Sequence, residues 1–265
     1  MAKQHYYLVG KQYMDFAPEL IQALREARHV VVFTGAGVSA ESGIPTFRDA
    51  LSGLWSHFDA EQLATPEAFE ADPALVWGWY EWRRRAAARA QPNPAHLAIA
   101  RMAGLVSQLQ VVTQNVDDLH ERAGNADVIH LHGNIAQPYC QRCRRPHAVA
   151  SDNGTEMGDG QRLTPPRCTA CGGTVRPGVV WFGESLPQDA WNSAEAAVRS
   201  CDLLVCVGTS GLVQPAAMLP VFAARAGAAT IQINPDPTPL NEHVRWNLQG
   251  PAGKVLPVLV GQTWA

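Results

Sequence analysis

The chain has 265 residues, 46% of them apolar, and a formal net charge of −3. This length suits one large domain, or one domain with a smaller insert, and the apolar fraction excludes an intrinsically disordered chain. The slight acidity gives no reason to expect a nucleic-acid partner, because a basic face usually marks proteins that bind nucleic acids.

No segment predicts a membrane span or secretion. The sequence lacks a run of about 20 apolar residues, and residues 1–16 have neither the apolar core nor the small-residue cleavage site of a signal peptide. We therefore expect a cytoplasmic protein with no membrane partner. The six cysteines are then expected to be metal ligands and core residues rather than disulfides.

Short apolar runs alternate with helical patterns along most of the chain. Helical spacing is found at residues 17–28, 94–106, 117–123, 187–199 and 215–226. Buried strands are predicted at residues 29–33, 109–113, 128–131, 202–207 and 229–233. This alternation predicts an α/β fold, in which a doubly wound parallel sheet carries helices on both faces.

Two stretches interrupt the alternation. Residues 49–95 contain no strand-like run, and an aromatic-rich helix is predicted at residues 73–89. Residues 139–177 are rich in Cys, Gly, Pro and polar residues and have no apolar core of their own. We expect a helical insert in the first stretch and a compact module in the second.

A glycine-rich turn follows the first predicted strand. Gly35, Ala36, Gly37 and Ala40 fit the pattern G-x-G-x-x-(G/A), which lets the backbone approach a pyrophosphate. A purely packing role for these glycines fits equally well. Dinucleotide-binding folds also place an acidic residue about 20 positions later, whereas the second strand here begins after residue 105, so a bound ribose would need other partners.

Four of the cysteines form two C-x-x-C pairs, which are typical of zinc sites. The pairs are Cys140 with Cys143 and Cys168 with Cys171. Four thiolates fill the tetrahedral shell of one zinc ion and leave no position open for a substrate. The sequence therefore predicts a structural zinc that supplies much of this module's folding energy. Cys201 and Cys206 are expected to be core residues.

Residues 35–48 read GAGVSAESGIPTFR, and five further blocks follow in order: TQNVDDLHERAG, HLHG, the cysteine pairs, VVWFGE and VGTS. This series of blocks resembles the signature of the sirtuin family. The resemblance covers about residues 20–260. It implies a Rossmann-like NAD-binding domain of residues 1–48, 96–138 and 178–265. The insert (49–95) and the zinc module (139–177) would form a small domain, with a cleft between the two domains for NAD and an acyl-lysine peptide.

The resemblance implies deacylation of protein lysines that consumes NAD and releases nicotinamide and 2′-O-acyl-ADP-ribose. The catalytic residues that the resemblance implies are His132, as the base, and Asn115. From its position alone, His132 could instead be a structural residue, since the chain has nine histidines. Asp117 could instead cap a helix, and Gly208 could merely end a strand. The implied NAD contacts are Gly35, Ala36, Gly37, Ala40, Phe47, Arg48, Gln114, Asn115, Asp117, Gly208, Thr209, Ser210, Asn234 and Ala252.

Three residues resemble the pocket of the sirtuin subgroup that prefers succinyl, malonyl and glutaryl groups. Tyr80 and Arg83 are three positions apart on one helix face, and Ala64 leaves room for a longer acyl chain. A guanidinium and a phenol can both donate hydrogen bonds to a carboxylate. In the alternative interpretation, Arg83 is a solvated arginine and Tyr80 a packing aromatic.

Residues 179–184 are expected to be extended and, by resemblance, to pair with the backbone of the substrate peptide. The residues concerned are Val180, Trp181, Phe182, Gly183 and Glu184. An ordinary sheet strand is the alternative, and Gly178 stands where relatives often carry a polar residue. Two other functions use the same fold: a mono-ADP-ribosyltransferase and a non-catalytic NAD or ADP-ribose-binding module. The sequence predicts no oligomeric state.

Overall fold

The computed structural model describes residues 6–8, 14–44, 60–148 and 161–265. In these ranges, six parallel strands form the body of one sheet and a short seventh strand, β1, extends its edge. The sheet strands are β1 (Tyr6–Leu8), β2 (His29–Thr34), β3 (Gln108–Thr113), β4 (Val128–His130), β7 (Leu203–Val207), β8 (Ala229–Asn234) and β9 (Trp246–Gln249). A separate antiparallel pair consists of β5 (Tyr139–Cys140) and β6 (Val175–Arg176).

Helices connect these strands. They are α1 (Pro18–Glu26), α2 (Ala60–Leu63), α3 (Pro66–Ala71), α4 (Pro73–Arg89), α5 (Pro94–Ala103), α6 (Leu119–Arg122), α7 (Gln188–Ser200), α8 (Leu219–Ala226) and α9 (Ala252–Thr263). None of the helices in the described ranges is long and apolar enough to cross a bilayer.

The strand order in the main sheet is β1-β9-β8-β7-β2-β3-β4. From β2 the chain proceeds outward through β3 and β4, and from β7 it proceeds outward the other way through β8 and β9. The direction of winding therefore reverses between β2 and β7. In open α/β sheets such a reversal leaves a crevice beyond the carboxyl ends of the strands, where ligands bind.

Both faces of the sheet are covered, as the uninterrupted apolar runs require. On β2, Val30 and Val32 pack with α1, α5 and α9 on one face, and Val31 and Phe33 pack with α7 and α8 on the other. Successive side chains of a strand point to opposite faces, so one apolar strand contributes to both cores. The predicted α/β fold with a doubly wound parallel sheet is confirmed.

The helices between β2 and α5 pack on the cysteine-rich region. Trp79 and Tyr80 of α4 belong to one buried cluster with Val175 of β6 and with Val179 and Trp181. The helix predicted at residues 73–89 is confirmed at these bounds. Residues 49–59 and 149–160 lie outside the described ranges, and the division of the chain into two domains stays a prediction.

Candidate active site

The glycine-rich turn lies at the reversal point of the sheet. The residues after β2 form a turn of 3-10 helix, Ala36–Val38, and the Gly37 N–H donates to the carbonyl oxygen of Gly208, 2.9 Å away. A Cβ on Gly37 would lie 2.8 Å from the Gly208 Cα, and one on Gly35 would lie 2.9 Å from the Gly208 oxygen. Gly208 itself has a φ of +59°. The glycines thus allow two backbone turns to touch, so the packing interpretation holds here without excluding a ligand.

A chain of polar side chains crosses the same edge. The Gln114 side chain follows β3 and donates to Thr209 Oγ1 at 2.8 Å, while the Asn234 side chain ends β8 and donates to the Thr209 carbonyl oxygen at 2.9 Å. The turn after β7 is therefore tied to the ends of its neighbours. Ser210 follows it and is half-buried. The predicted contacts near residues 35, 114, 208 and 234 lie along one edge.

A buried network lies beneath the turn. Ser39 Oγ donates to Asp117 Oδ2 at 3.0 Å and accepts from the Asn115 side-chain amide at 3.0 Å. His96 Nε2 lies 3.5 Å from the same hydroxyl. The other oxygen of Asp117 accepts from the Leu119 N–H at the start of α6. The N-cap residue of α6 is Asp118, so Asp117 does not cap the helix but binds its first N–H from the position before the cap, in addition to its bond to Ser39.

Burial dominates the electrostatics of this network. It raises the pKa of the Asp117 carboxyl, although hydrogen bonds from Leu119 and Ser39 act in the opposite direction. Burial also lowers the pKa of His96 to about 4. Ser39 and His96 were not among the predicted site residues. Ser39 lies inside the glycine-rich signature, which could have identified it, whereas nothing in the sequence distinguishes His96 from other helical histidines.

His132 lies just beyond β4, beside the end of β3. Its Nδ1 is 2.9 Å from the carbonyl oxygen of Gln114. A carbonyl can only accept, so Nδ1 carries the proton and Nε2 of the neutral ring can accept one. Burial lowers the pKa of His132, and the hydrogen bond to Gln114 offsets part of that effect. The imidazole therefore has the tautomer and the charge that a general base needs at neutral pH.

His130, two residues earlier, contacts the next carbonyl along the chain. Its Nδ1 lies 3.1 Å from the Asn115 carbonyl oxygen and its Nε2 lies 2.6 Å from Glu121 Oε1. Burial lowers the pKa of His130, but the hydrogen bond and charge of Glu121 outweigh burial and raise it. His132 and His130 thus form hydrogen bonds to the consecutive carbonyl groups of Gln114 and Asn115. The sequence did not reveal this role, since Glu121 is one exposed acid among many.

Residues 179–184 run beside His132 without joining either sheet. The Val180 N–H donates to the His132 carbonyl oxygen at 2.9 Å, and Gly133 forms an antiparallel bridge with Val179. The extended prediction is right for the first residues only, because the chain turns at Gly183, which has a φ of +85°. A carboxylate oxygen of Glu184 accepts from the Trp181 N–H at 2.8 Å and closes this turn.

The departure at Gly178 has a steric explanation. A Cβ there would lie 2.0 Å from the carbonyl oxygen of Gln137. A side chain would require the loop after His132 to move. Glycine at this position therefore allows a close approach to the backbone of Gln137.

Two of the three residues predicted to recognise the acyl group, Ala64 and Tyr80, contact residues 179–184. The Ala64 carbonyl oxygen accepts from the Phe182 N–H at 2.9 Å. The Tyr80 hydroxyl accepts from Trp181 Nε1 at 3.1 Å, and the Arg83 guanidinium lies 4.8 Å from the centroid of the Trp79 ring. Phe182 is 43% exposed, so an aromatic surface remains open beside Ala64.

Burial is the largest influence on the pKa values of Tyr80 and Arg83. It raises the pKa of Tyr80 to about 12, so the phenol keeps its proton. Burial lowers the pKa of Arg83, while its electrostatic interactions with Tyr80 and Asp117 act in the opposite direction. Arg83 is half-buried, with one guanidinium nitrogen inaccessible to solvent. The solvated-arginine interpretation is therefore wrong, and the packing interpretation of Tyr80 describes its ring but not its hydroxyl.

The four paired cysteines converge on one point. The Cys140 and Cys171 sulfurs are 3.5 Å apart, those of Cys143 and Cys168 are 3.7 Å apart, and all four lie within 4.8 Å of one another. Zinc–sulfur bonds of about 2.3 Å in a tetrahedron separate the sulfurs by roughly 3.8 Å. The cluster therefore fits a structural zinc ion. Cys201 and Cys206 are buried in the core, as predicted.

The remaining predicted contacts have mixed placements. Ala252 is buried at the first position of α9, where the Glu41 carboxylate accepts from the Gly253 N–H. Ala40 is exposed beside the glycine-rich turn. Phe47 and Arg48 lie outside the described residues.

Known proteins resemble this chain over most of its length. A sequence profile of the Sir2 family matches residues 35–215. The NAD-dependent protein deacylase of Methylococcus capsulatus is 58% identical over 247 residues, which are 93% of this chain and 97% of that protein. NAD-dependent protein deacylase 1 of Pseudomonas aeruginosa is 56% identical, over 91% of this chain and 96% of that protein.

Solved structures agree. A Sir2 homologue in complex with NAD superimposes with a TM-score of 0.86 at 44% identity, covering 97% of this chain and 96% of that one. A mutant Sir2 homologue in complex with 2′-O-acetyl-ADP-ribose also superimposes with a TM-score of 0.86 at 44% identity, covering 94% of this chain and 96% of that one.

Proposed function

Because the chain belongs to the Sir2 family and is an NAD-dependent protein deacylase, we propose that it removes succinyl, malonyl and glutaryl groups, as well as acetyl, from protein lysines. Acylated proteins are its substrates and NAD is its co-substrate. The acidic-acyl preference rests mainly on one observation: the Tyr80 hydroxyl is held by Trp181, next to the segment that pairs with His132.

The edge between β2 and β7 is where we propose that NAD binds. The backbone turns at Gly35–Gly37 and Gly208, which pack against each other at this edge because they lack Cβ atoms, would receive the phosphates. Thr209, Ser210 and Asn234 would contact the adenosine ribose. These contacts would take the place of the acidic residue that dinucleotide-binding folds usually carry. Bound NAD supplies an electrophilic ribose carbon and a nicotinamide leaving group.

On the nicotinamide side, we propose that Asn115 and Asp117 orient the reacting end of NAD. Ser39 connects both side chains to the glycine-rich turn. This network is buried and internally hydrogen-bonded, so its groups need little reorganisation when a ligand binds. The Asp117 carboxylate can still accept N–H bonds, since each oxygen has two lone pairs.

His132 is the proposed general base. Its Nδ1 proton is committed to the Gln114 carbonyl oxygen, so Nε2 is the atom that accepts a proton from the ribose hydroxyls. With one water molecule, this chemistry would convert NAD and acyl-lysine into 2′-O-acyl-ADP-ribose, free lysine and nicotinamide. The solved complex of a relative with 2′-O-acetyl-ADP-ribose supports this assignment.

The acyl chain would extend from the lysine toward α4. A terminal carboxylate there can accept hydrogen bonds from the Tyr80 phenol and the Arg83 guanidinium, both shielded from water. An acetyl group carries no carboxylate for these two donors to bind, so it gains nothing from them. Ala64, with only a methyl side chain, leaves space for the longer chain.

A peptide panel tests the proposal. One sequence is prepared with acetyl-, succinyl-, malonyl- and glutaryl-lysine, and each peptide is incubated with and without NAD. Mass spectrometry should find O-acyl-ADP-ribose only with NAD, and kcat/KM should be higher for succinyl than for acetyl lysine. A panel in which acetyl-lysine is the best substrate contradicts the acidic-acyl preference. ADP-ribose on a protein side chain would favour the transferase alternative, and absence of nicotinamide release would favour the binding module.

A further inference from the structure

We propose that Trp181 determines acyl selectivity through its side chain, by forcing the Tyr80 hydroxyl to act as a donor. The inference rests on the acidic-acyl function proposed above. It concerns the indole of Trp181, whereas the predicted role of this residue concerns its backbone.

The hydrogen-bond chemistry of the pair permits one arrangement. Indole Nε1–H can only donate, so the contact at 3.1 Å makes the Tyr80 oxygen an acceptor. The phenol then has one proton left, and the raised pKa keeps that proton in place at neutral pH. Among the described residues, no hydrogen bond receives this proton, so the Tyr80 O–H is available to a ligand acceptor. A carboxylate is purely an acceptor, which makes it the matching group.

The indole is itself held from several sides. The Arg176 guanidinium carbon lies 3.5 Å from the centroid of the Trp181 ring, and the Phe69 ring centroid lies 5.2 Å away. Arg176 in turn makes two hydrogen bonds to the Glu184 carboxylate, at 2.6 and 2.8 Å. The Glu184 carboxylate also accepts from the Trp181 N–H. The ring is therefore stacked on a buried guanidinium that Glu184 holds in place, and it has little freedom to turn its N–H away from Tyr80.

This arrangement links the cysteine-rich module to the pocket. Arg176 belongs to β6, which pairs with β5 next to Cys140, and its contacts pass through Trp181 to α4. Trp181 acts through Tyr80, so it is a positioning residue. The expected consequence is a selective effect on substrates with a terminal carboxylate.

A double-mutant cycle tests the inference. KM and kcat are measured with succinyl- and acetyl-lysine peptides of one sequence, for the wild type, Trp181→Phe, Tyr80→Phe and the double variant. Losing an oriented hydrogen bond to a charged group should raise KM for the succinyl peptide roughly 10- to 150-fold, with KM for the acetyl peptide changed less than about 2-fold. In the Tyr80→Phe background, Trp181→Phe should add less than about 2-fold, because the two residues act as one unit.

Trp246→Phe is the matched control, since this buried tryptophan belongs to the core on the α1, α5 and α9 face. Independent, multiplicative losses from Trp181→Phe and Tyr80→Phe would overturn the inference, as would equal KM changes for both peptides. If the wild type prefers succinyl-lysine and Trp181→Phe keeps that preference, the inference is overturned but the proposed function stands. A wild type without the preference overturns the proposed function itself. Tyr80→Phe removes a single oxygen, so it gives the comparison even if Trp181→Phe folds poorly.

Discussion

His132 Nδ1 lies 2.9 Å from the carbonyl oxygen of Gln114, the residue that follows β3. This contact selects the imidazole tautomer and points Nε2 away from the end of β3. The donors and acceptors predicted for NAD lie along the same edge, at the ends of β2, β3, β7 and β8. The contact therefore joins the proposed base to the sheet that positions the co-substrate.

Gly37→Ala should weaken NAD binding and lower stability. The new Cβ would lie 2.8 Å from the Gly208 Cα, so the two turns must separate, and overpacking of this kind typically costs about 1–3 kcal/mol. Thermal unfolding with and without NAD measures both effects. Gly104→Ala is the control, since its nearest atom is 3.5 Å away. Equal NAD-induced stabilisation of both variants would show that close approach at Gly37 is unimportant.

Acid should destabilise the fold through two buried histidines. Burial lowers the pKa of His96 to about 4 and that of His120 to about 3, whereas both titrate near 6.5 when unfolded. Between these values the unfolded chain binds more protons than the folded chain. The stabilisation is therefore complete above about pH 6.5 and is lost as the pH falls toward 4, by about 1.4 kcal/mol per pH unit for each histidine.

Urea unfolding at pH 5, 6 and 7 measures this slope. His96→Gln should reduce the slope by about one histidine's share. If His96→Gln retains the full slope, the acid sensitivity has another origin.

Metal analysis should find one zinc ion per chain. Cys143→Ser should lower the zinc content and raise KM for the peptide. The zinc module carries Arg176, which binds Glu184 in the segment proposed to pair with the substrate peptide, residues 179–184. Cys201→Ala removes a core cysteine and should retain the metal. Purified protein without zinc would show that the cluster serves another purpose.

Arg83→Met should impair desuccinylation far more than deacetylation. The loss of a charge-assisted contact is worth about 1.5–3 kcal/mol, which corresponds to roughly a 10- to 150-fold lower kcat/KM for the succinyl peptide. Arg101→Met on α5 is the control for loss of one positive charge. If Arg83→Met lowers kcat/KM equally for both peptides, the guanidinium does not recognise the acyl carboxylate.

The elements that sequence analysis predicted are those with strong local patterns. Strand β2 is a continuous apolar run, and helix α4 begins after the capping residue Asp72. Both features can be recognised from the local sequence alone. Strand β9 was not predicted from the sequence because Trp246–Gln249 is short and half polar. Helix α9 was not predicted because Pro257 interrupts its helical pattern. These elements depend on pairing with β8 and packing on α5, which are long-range contacts.

The site shows the same division. The glycines and cysteines of the site could be predicted from their spacing in the sequence. Only glycine allows two backbone turns to touch, and a C-x-x-C pair is typical of a zinc site. The bond from Trp181 to Tyr80 joins residues 101 positions apart, and no local pattern encodes it. The contact of His130 with Glu121 likewise depends on how β4 lies beside α6.

The rate of acyl-ADP-ribose formation by His132→Gln tests the account most directly, with His243→Gln as the control and NAD-induced thermal stabilisation as a check on co-substrate binding. If Nε2 of His132 is the general base, the variant should bind NAD and lose about 10²- to 10⁴-fold in kcat, while His243→Gln keeps the wild-type rate. A His132→Gln enzyme that binds NAD and retains the wild-type rate would contradict the assignment of the base and the mechanism built on it.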